Sequence, residues 1–191
     1  RKIEPKDDGY REGENPARWK GHLDTLLPAR SKVQKVKHHA ALPYDDVGAF
    51  MAKLSQQGGV SARGLEFLIL TASRTGEAIK AGWAEIDFEK AVWTIPAERM
   101  KGDKEHRVPL SSAAIDVLTS LKEAAVNDFV FPGMRRNTSL SNMAFLQLLK
   151  RMGRNDLTAH GFRSTFRDWA AERTAYPNEV AEMALAHAVG D

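Results

Sequence analysis

Beyond residue 43 apolar residues recur mainly at helical spacing, and the period shortens toward two only between residues 86 and 110. Pro43 followed by Asp45 and Asp46 predicts a helix start, because carboxylates favour the positive end of a helix dipole. Val47, Phe50, Met51 and Leu54 follow on one face, and Gly58–Gly59 ends the run. The spacing predicts a second helix over about Ser61–Thr71, with Leu65, Leu68 and Ile69 buried. Arg74 falls where that helix ends, Gly76 permits a tight turn there, and Glu77 starts a short helix through Ala81.

From Ile86 onward Val92, Trp93 and Ile95 form a short β-like run, and HRVPL (106–110) forms another. KGDKE between them reads as the turn of a hairpin, with Lys101 at its tip side. Helices return afterwards. Ser111 or Ser112 caps one whose Ile115, Leu118 and Leu121 mark a core face. Ser141 caps another, with Met143, Leu146, Leu149 and Met152 at core spacing and Gly153 at its end. In HGFRSTFRDWAAER the expected buried stripe is Phe162, Phe166, Trp169 and Ala170, with Arg163 and Arg167 off it. Pro177 breaks the chain, Asn178 is placed as an N-cap, and a last helix runs to His187. The pattern therefore predicts a mainly α chain with a small antiparallel β-sheet, an α+β fold.

Residues 1–43 carry four of the eight prolines and little apolar periodicity. They read as an extended lead-in with a short turn of structure around Trp19–Leu27. His38 and His39 are adjacent, so on an extended chain they point opposite ways, which argues against a metal pair. Composition narrows the class. The chain has 191 residues and no cysteine, which excludes disulfides and thiolate metal sites. No apolar run reaches the roughly 18 residues that a membrane span needs. The N-terminus is polar, unlike a signal peptide, and lacks an initial Met, which suggests a fragment. Net charge is only +3, but it is segregated: residues 135–163 hold six basic side chains and one acidic one. A clustered basic face is the footprint expected of a polyanion partner.

The chemistry-bearing residues stand at the ends of elements, where scaffolds usually place function. His160 and Arg163 are three apart and share a helix face, pairing a group that moves protons near neutral pH with a planar cation suited to phosphate. Arg74, Lys101 and His187 are the others. There is no Walker loop, no dinucleotide fingerprint, no H-E-x-x-H and no paired-carboxylate motif, so neither a nucleotide cofactor nor a metal is expected. Taken singly, an arginine at a helix end, a hairpin lysine or a lone histidine is ordinarily structural.

Taken together, LTASRTGE, the hairpin Lys101, HGFR and LAH, in that order, resemble the catalytic domain of tyrosine recombinases, the phage-type integrases. The resemblance covers roughly residues 41–191. The wording of NPARWKGHLDTLLP, HHAALPY, IPAERMKGDKEHRVPLS, HGFRSTFRDWAAER and EMALAHAVGD is closer still to one branch, the prophage and genomic-island integrases. It implies a metal- and cofactor-free reaction in which a tyrosine hydroxyl attacks a DNA phosphodiester, leaving a 3′-phosphotyrosine and a 5′-hydroxyl. By that resemblance Arg74 and Arg163 clamp the phosphate. Lys101 protonates the leaving oxygen, with Lys104 further into the turn as a second candidate. His160 handles the tyrosine proton, His187 donates to a phosphate oxygen, and Glu77 supports a basic residue of the site.

The family nucleophile lies nine or ten residues beyond the position of His187, so the expectation is a chain truncated before it that binds DNA without cleaving it. Tyr176 lies on the wrong side of His187 and reads as a packing or turn residue. Residues 1–40 would be the linker and the end of a preceding DNA-binding region, and 41–191 the catalytic domain. The implied partner is double-stranded DNA at attachment sites, with a tetramer on DNA for the full-length protein, a monomer for this fragment, and a bacterial cytoplasmic, nucleoid-associated setting. Arg107, Arg135, Arg136, Lys150 and Arg154 are candidate backbone contacts. The alternatives are a degenerate domain that only binds DNA and, more loosely, a type IB topoisomerase-like enzyme.

Overall fold

The computed structural model describes residues 15, 17–27, 40–100 and 102–187. The expected linker is therefore largely outside the described residues, as are His38, His39 and Lys101. The chain divides into two units, Arg1–His38 and His39–Asp191. In the first, Trp19–Leu23 and Asp24–Leu26 form successive helical turns, interrupted at Gly21, whose φ is +78°.

In the second unit the helices are α1 (Val47–Ser55), α2 (Val60–Thr71), α3 (Thr75–Ile79), α4 (Ser112–Lys122), α5 (Ala144–Arg151), α6 (Gly161–Arg173) and α7 (Asn178–Ala184). A 3-10 turn over Tyr44–Asp46 leads into α1, so the two aspartates precede the helix rather than occupy its first turn. Strands β1 (Ile86–Asp87), β2 (Val92–Ile95) and β3 (His106–Pro109) form an antiparallel sheet in that order, with Trp93 opposite both Ile86 and Val108. The fold is mainly α with a small antiparallel sheet, as the periodicity predicts.

The core centres on α2, which packs against α1, α3, α4 and α5. Leu65, Phe67 and Leu68 are fully buried, and the Phe67 ring lies 5.0 Å from Trp93 and 5.5 Å from Phe131. Burying such side chains contributes roughly 1.5–3 kcal/mol each, so helix layer and sheet are held by one apolar centre. Ser111, not Ser112, caps α4 by accepting the Ala114 N–H at 3.3 Å. Helix α5 starts at Ala144 without a side-chain cap, so Ser141 is not its N-cap. Its buried residues are Phe145, Leu148 and Leu149, whereas Met143 is exposed and Leu146 half-buried. The predicted stripe is rotated because Phe145, not Met143, meets α2 at Gly64.

Helix α6 is seated unusually close to the chain that precedes α1. A β-carbon at Gly161 would lie 2.1 Å from the Ala40 carbonyl oxygen, and the Thr165 hydroxyl donates to the Leu42 carbonyl at 2.6 Å. Gly161→Ala should therefore push α6 off residues 40–42. The expected destabilisation is about 1–3 kcal/mol, the usual range for overpacking, read as a lower thermal midpoint. This close seat also corrects the expected stripe of α6. Arg163 is buried, while Trp169 is 44% exposed and Phe166 is half-buried. Both aromatics border a groove shared with Tyr44, Val47, Ile69 and Phe162.

Candidate active site

The site is built where three helix ends converge. Helix α2 ends on Ala72, which is left-handed with φ +48°, and the chain turns there into α3. Gly76 lies inside α3, so Ala72 and not Gly76 makes the turn. Arg74 is the N-cap of α3 and Glu77 its third residue, so the predicted helix start shifts two residues upstream. The Glu77 carboxylate accepts the Arg74 main-chain N–H at 2.8 Å and its Nη1 at 2.7 Å. Arg74 Nη2 donates to the Ala186 carbonyl at 3.1 Å, across 112 residues of sequence.

Arg163 approaches the same segment from α6. Its Nη1 donates to the Ala72 carbonyl at 2.5 Å and its Nη2 to the Leu185 carbonyl at 2.6 Å. The side chain is buried, 4% exposed, because carbonyls satisfy the guanidinium that the sequence pattern placed in solvent. Burial, and then the like charge of Arg74, lower its pKa to about 10, so it remains a cation at neutral pH. Ala186 is also left-handed, with φ +50°. Each left-handed alanine thus turns its carbonyl to one of the two arginines. Strained backbone of this kind persists only where the surroundings hold it.

Helix α7 ends at Ala184, and His187 lies past the turn that follows it rather than on the helix. Pro177 is the N-cap of α7 and Asn178 its first residue, with Asn178 Oδ1 accepting from Arg167 at 3.2 Å. The His187 tautomer follows from its partners. Its Nε2 lies 3.1 Å from Arg163 Nη2, and a guanidinium only donates, so Nε2 is the acceptor. The proton therefore sits on Nδ1, which donates to Glu182 Oε2 at 2.5 Å. Glu182 also accepts from Arg167 Nε at 2.6 Å. The bond from His187, then that from Arg167, hold the Glu182 carboxyl below the usual glutamate range. A depressed carboxylate stabilises the fold above its unfolded pKa, about 4.3, and loses that contribution as pH falls through the lower folded value. The thermal midpoint of wild type should exceed that of Glu182→Gln at pH 7, and the gap should close as pH falls below the usual glutamate range.

The other expected residues are placed differently. His160 is the exposed N-cap of α6, one turn before Arg163. Arg107, on β3, and Arg135 and Arg136, in the turn before Thr138, are exposed, as is Lys150 at the end of α5. Arg154 is engaged by Asp156, its Nη2 donating to Oδ2 at 2.7 Å. Tyr176 is 72% exposed in the bend between α6 and α7, so of the packing or turn role expected of it the turn is what the structure shows. Among the described residues no group of three or more His, Cys, Asp or Glu side chains is placed to hold a metal. Nor is any helix among them long and apolar enough to cross a membrane.

The model of the phage integrase family matches residues 41–190. The chain belongs to that family. Prophage integrase IntZ of Escherichia coli K12 is 38% identical over 168 residues, 86% of this chain and 41% of that protein. The integrase of Shigella phage Sf6 is 36% identical over 165 residues, 83% of this chain and 43% of that one. The chain thus spans about two fifths of the length of these relatives. Among solved structures, XerA recombinase superposes with a TM-score of 0.65 at 17% identity, covering 85% of this chain and 61% of that chain. A lambda integrase tetramer bound to a Holliday junction superposes at 0.60 and 17% identity, covering 81% and 49%. The fold of this integrase domain is therefore that of the tyrosine recombinases.

Sequence reasoning missed three residues around this integrase site. Arg99 donates from Nη2 to the Glu77 carbonyl at 2.7 Å and is ion-paired with Glu85. Glu182 anchors His187. His106, first residue of β3, is half-buried and lines a pocket with Thr71, Ala72 and Ala184. Strand alternation held the signal for His106: it shares the inward face with Val108, while Arg107 and Pro109 face out.

Proposed function

We propose that this chain is the catalytic domain of a site-specific DNA recombinase that integrates or excises a prophage or genomic island. Strands are cut and rejoined through a 3′-phosphotyrosine, without a metal ion. The observation that carries this reading is the convergence of Arg74 and Arg163 on the carbonyls of Ala186 and Leu185, with His187 against Arg163. Two fixed guanidiniums side by side suit the extra negative charge on the non-bridging oxygens of an in-line displacement, and they need no reorganisation when it develops.

A DNA phosphate arriving at Arg163 replaces His187 Nε2 as acceptor of the Nη2 proton. The imidazole, held at Nδ1 by Glu182, then stands against the phosphate, where it acts as the hydrogen-bond donor that the family resemblance assigns to it. Lys101 protonates the leaving 5′-oxygen, and His160, exposed at the head of α6, handles the proton of the attacking hydroxyl. The attacking tyrosine is supplied by the chain beyond Asp191; Tyr176 is not it. The basic residues Arg107, Arg135, Arg136, Lys150 and Arg154 contact the backbone of an attachment-site duplex, and the full-length protein works as a tetramer on DNA. A relative bound to a Holliday junction as a tetramer supports this assembly.

The test compares residues 1–191 with a chain extended through the natural continuation. Both should bind attachment-site duplex with an affinity that falls steeply with salt, since phosphate contacts release counterions. Only the extended chain should become covalently attached to DNA, and Tyr176→Phe should leave that attachment intact. Loss of the adduct in folded Tyr176→Phe would overturn the assignment of the nucleophile. Binding without any adduct in the extended chain would favour a domain that only binds DNA.

A further inference from the structure

Arg74 is held by Glu77, and Glu77 is itself held from the side of the sheet. Helix α3 is only five residues long, so its last carbonyls must find partners outside it. The Glu77 carbonyl finds one in Arg99, whose Nη2 donates to it at 2.7 Å across 22 residues of sequence. Arg99 ends a 3-10 turn over Ala97–Arg99 that follows β2. Its Nη1 is ion-paired with Glu85 Oε1, and the other carboxylate oxygen of Glu85 accepts the Trp93 indole N–H at 2.8 Å. Trp93 is fully buried, with its ring 5.0 Å from that of Phe67 on α2. A continuous chain of bonds therefore runs from the apolar core through Glu85 and Arg99 to the Glu77 main chain. From the Glu77 carboxylate it continues to the main-chain N–H and Nη1 of Arg74.

Resting on the recombinase reading above, we propose that Arg99 is a positioning residue for strand cleavage. By spanning Glu85 and the Glu77 carbonyl, its guanidinium fixes α3 against the core and so sets the aim of Arg74 at the phosphate. Three further facts support the role. Arg99 is not a spare cation for DNA, because Glu85 engages its charge and its side chain is only 18% exposed. Its Nε is buried with no acceptor among the described residues. A buried N–H left over in this way opposes folding and offsets what capping the Glu77 carbonyl contributes, so stability alone does not account for an arginine here. Arg99, Glu77 and Arg74 also line one pocket, so a shift of the first is felt beside the last. A planar fork with donors on both arms is what bridging acceptors on two elements requires, and lysine lacks it. Arg99 touches no reacting atom in this scheme; it acts through Glu77 on Arg74. Misplacing a clamp by an ångström lowers a rate by up to about 100-fold.

The experiment uses the integrase extended through its tyrosine-bearing continuation and a nicked attachment-site duplex that traps the covalent intermediate. Arg99→Met keeps the unbranched stem and removes both donors. At saturating duplex, its single-turnover adduct formation should be about 10- to 100-fold slower, with duplex affinity within about twofold of wild type. The deciding readout is a double-mutant cycle with Glu77→Gln. Because Arg99 acts through Glu77, the double variant should be no more than about threefold slower than the slower single variant. Effects that multiply would overturn the proposal. So would a wild-type rate in Arg99→Met, or weaker binding with no loss of the saturating rate. Should Arg99→Met unfold, Arg99→Lys decides alone, since one amine cannot bridge Glu85 and the Glu77 carbonyl as a fork does. A folded Arg99→Lys that binds normally but is at least about fivefold slower supports the bridge, and a wild-type rate contradicts it. Absence of adduct in wild type would instead sink the recombinase reading, and the proposal with it.

Discussion

Arg163→Ala is expected to abolish DNA cleavage in the extended chain and to destabilise the domain severely. The guanidinium is 4% exposed and makes three hydrogen bonds, two of them to the carbonyls of Ala72 and Leu185. Removing it leaves both carbonyls without a donor in a buried place, at about 1–3 kcal/mol each. It also removes the hydrogen bond to His187 Nε2 and unties α6 from the turn after α7. Against a typical domain stability of about 5–15 kcal/mol, that loss lowers the thermal midpoint by many degrees. Arg163→Lys separates fold from chemistry. A lysine keeps the charge but cannot span two carbonyls and present a further donor to phosphate. Adduct formation should fall about 100- to 1,000-fold, as for loss of one preorganised donor, while the midpoint falls less than in Arg163→Ala. Circular dichroism melts and single-turnover trapping of the covalent complex check both halves.

Glu77→Gln is expected to separate binding from catalysis in the opposite sense. Glu77 is 5% exposed and closes a capping box on Arg74, accepting both its main-chain N–H and its Nη1. The carboxylate also offsets the repulsion between Arg74 and Arg163, since it raises the Arg163 pKa that Arg74 lowers. Glutamine preserves shape and one acceptor but removes the charge. With one negative charge fewer beside the phosphate, duplex affinity should hold or rise. Arg74, no longer fixed from two sides, should lose its aim, and adduct formation should drop by about 100-fold. Loss of the charged cap lowers stability by about 1–2 kcal/mol. Tight binding with slow cleavage is the signature; parallel loss of both would mean that Glu77 only supports the fold.

Much of this was legible from periodicity. The helix–sheet–helix order, the antiparallel pairing of β2 with β3 and the α4 face all follow from local spacing. What failed did so where a long-range contact overrides the local rule. Arg163 looks like a surface residue because its three hydrogen bonds come from parts of the chain that sequence spacing cannot bring together. Trp169 looks like core, yet the close seat of Gly161 and Thr165 on residues 40–42 rotates α6 and leaves that ring at the rim of a groove. His187 was expected on a helix because the apolar pattern continues past Ala184; a left-handed Ala186 turns the chain out instead. His106 escaped notice because a histidine in a four-residue strand is ordinary until its neighbours are known. The family resemblance names Arg74, Arg163 and His187 together; the geometry places the two arginines on one turn and shows that Arg163 holds His187 as an acceptor.

The central claim is that this domain prepares a DNA phosphate for attack by a tyrosine located beyond Asp191. The most direct measurement is the polarity of the covalent complex formed by the extended chain on an end-labelled attachment-site duplex in the presence of EDTA. The expected product is protein joined to the 3′-phosphate of the cut strand, with a free 5′-hydroxyl on the other side and no adduct with residues 1–191 alone. Attachment through a 5′-phosphate, or cleavage that stops when divalent metal is chelated, would contradict it.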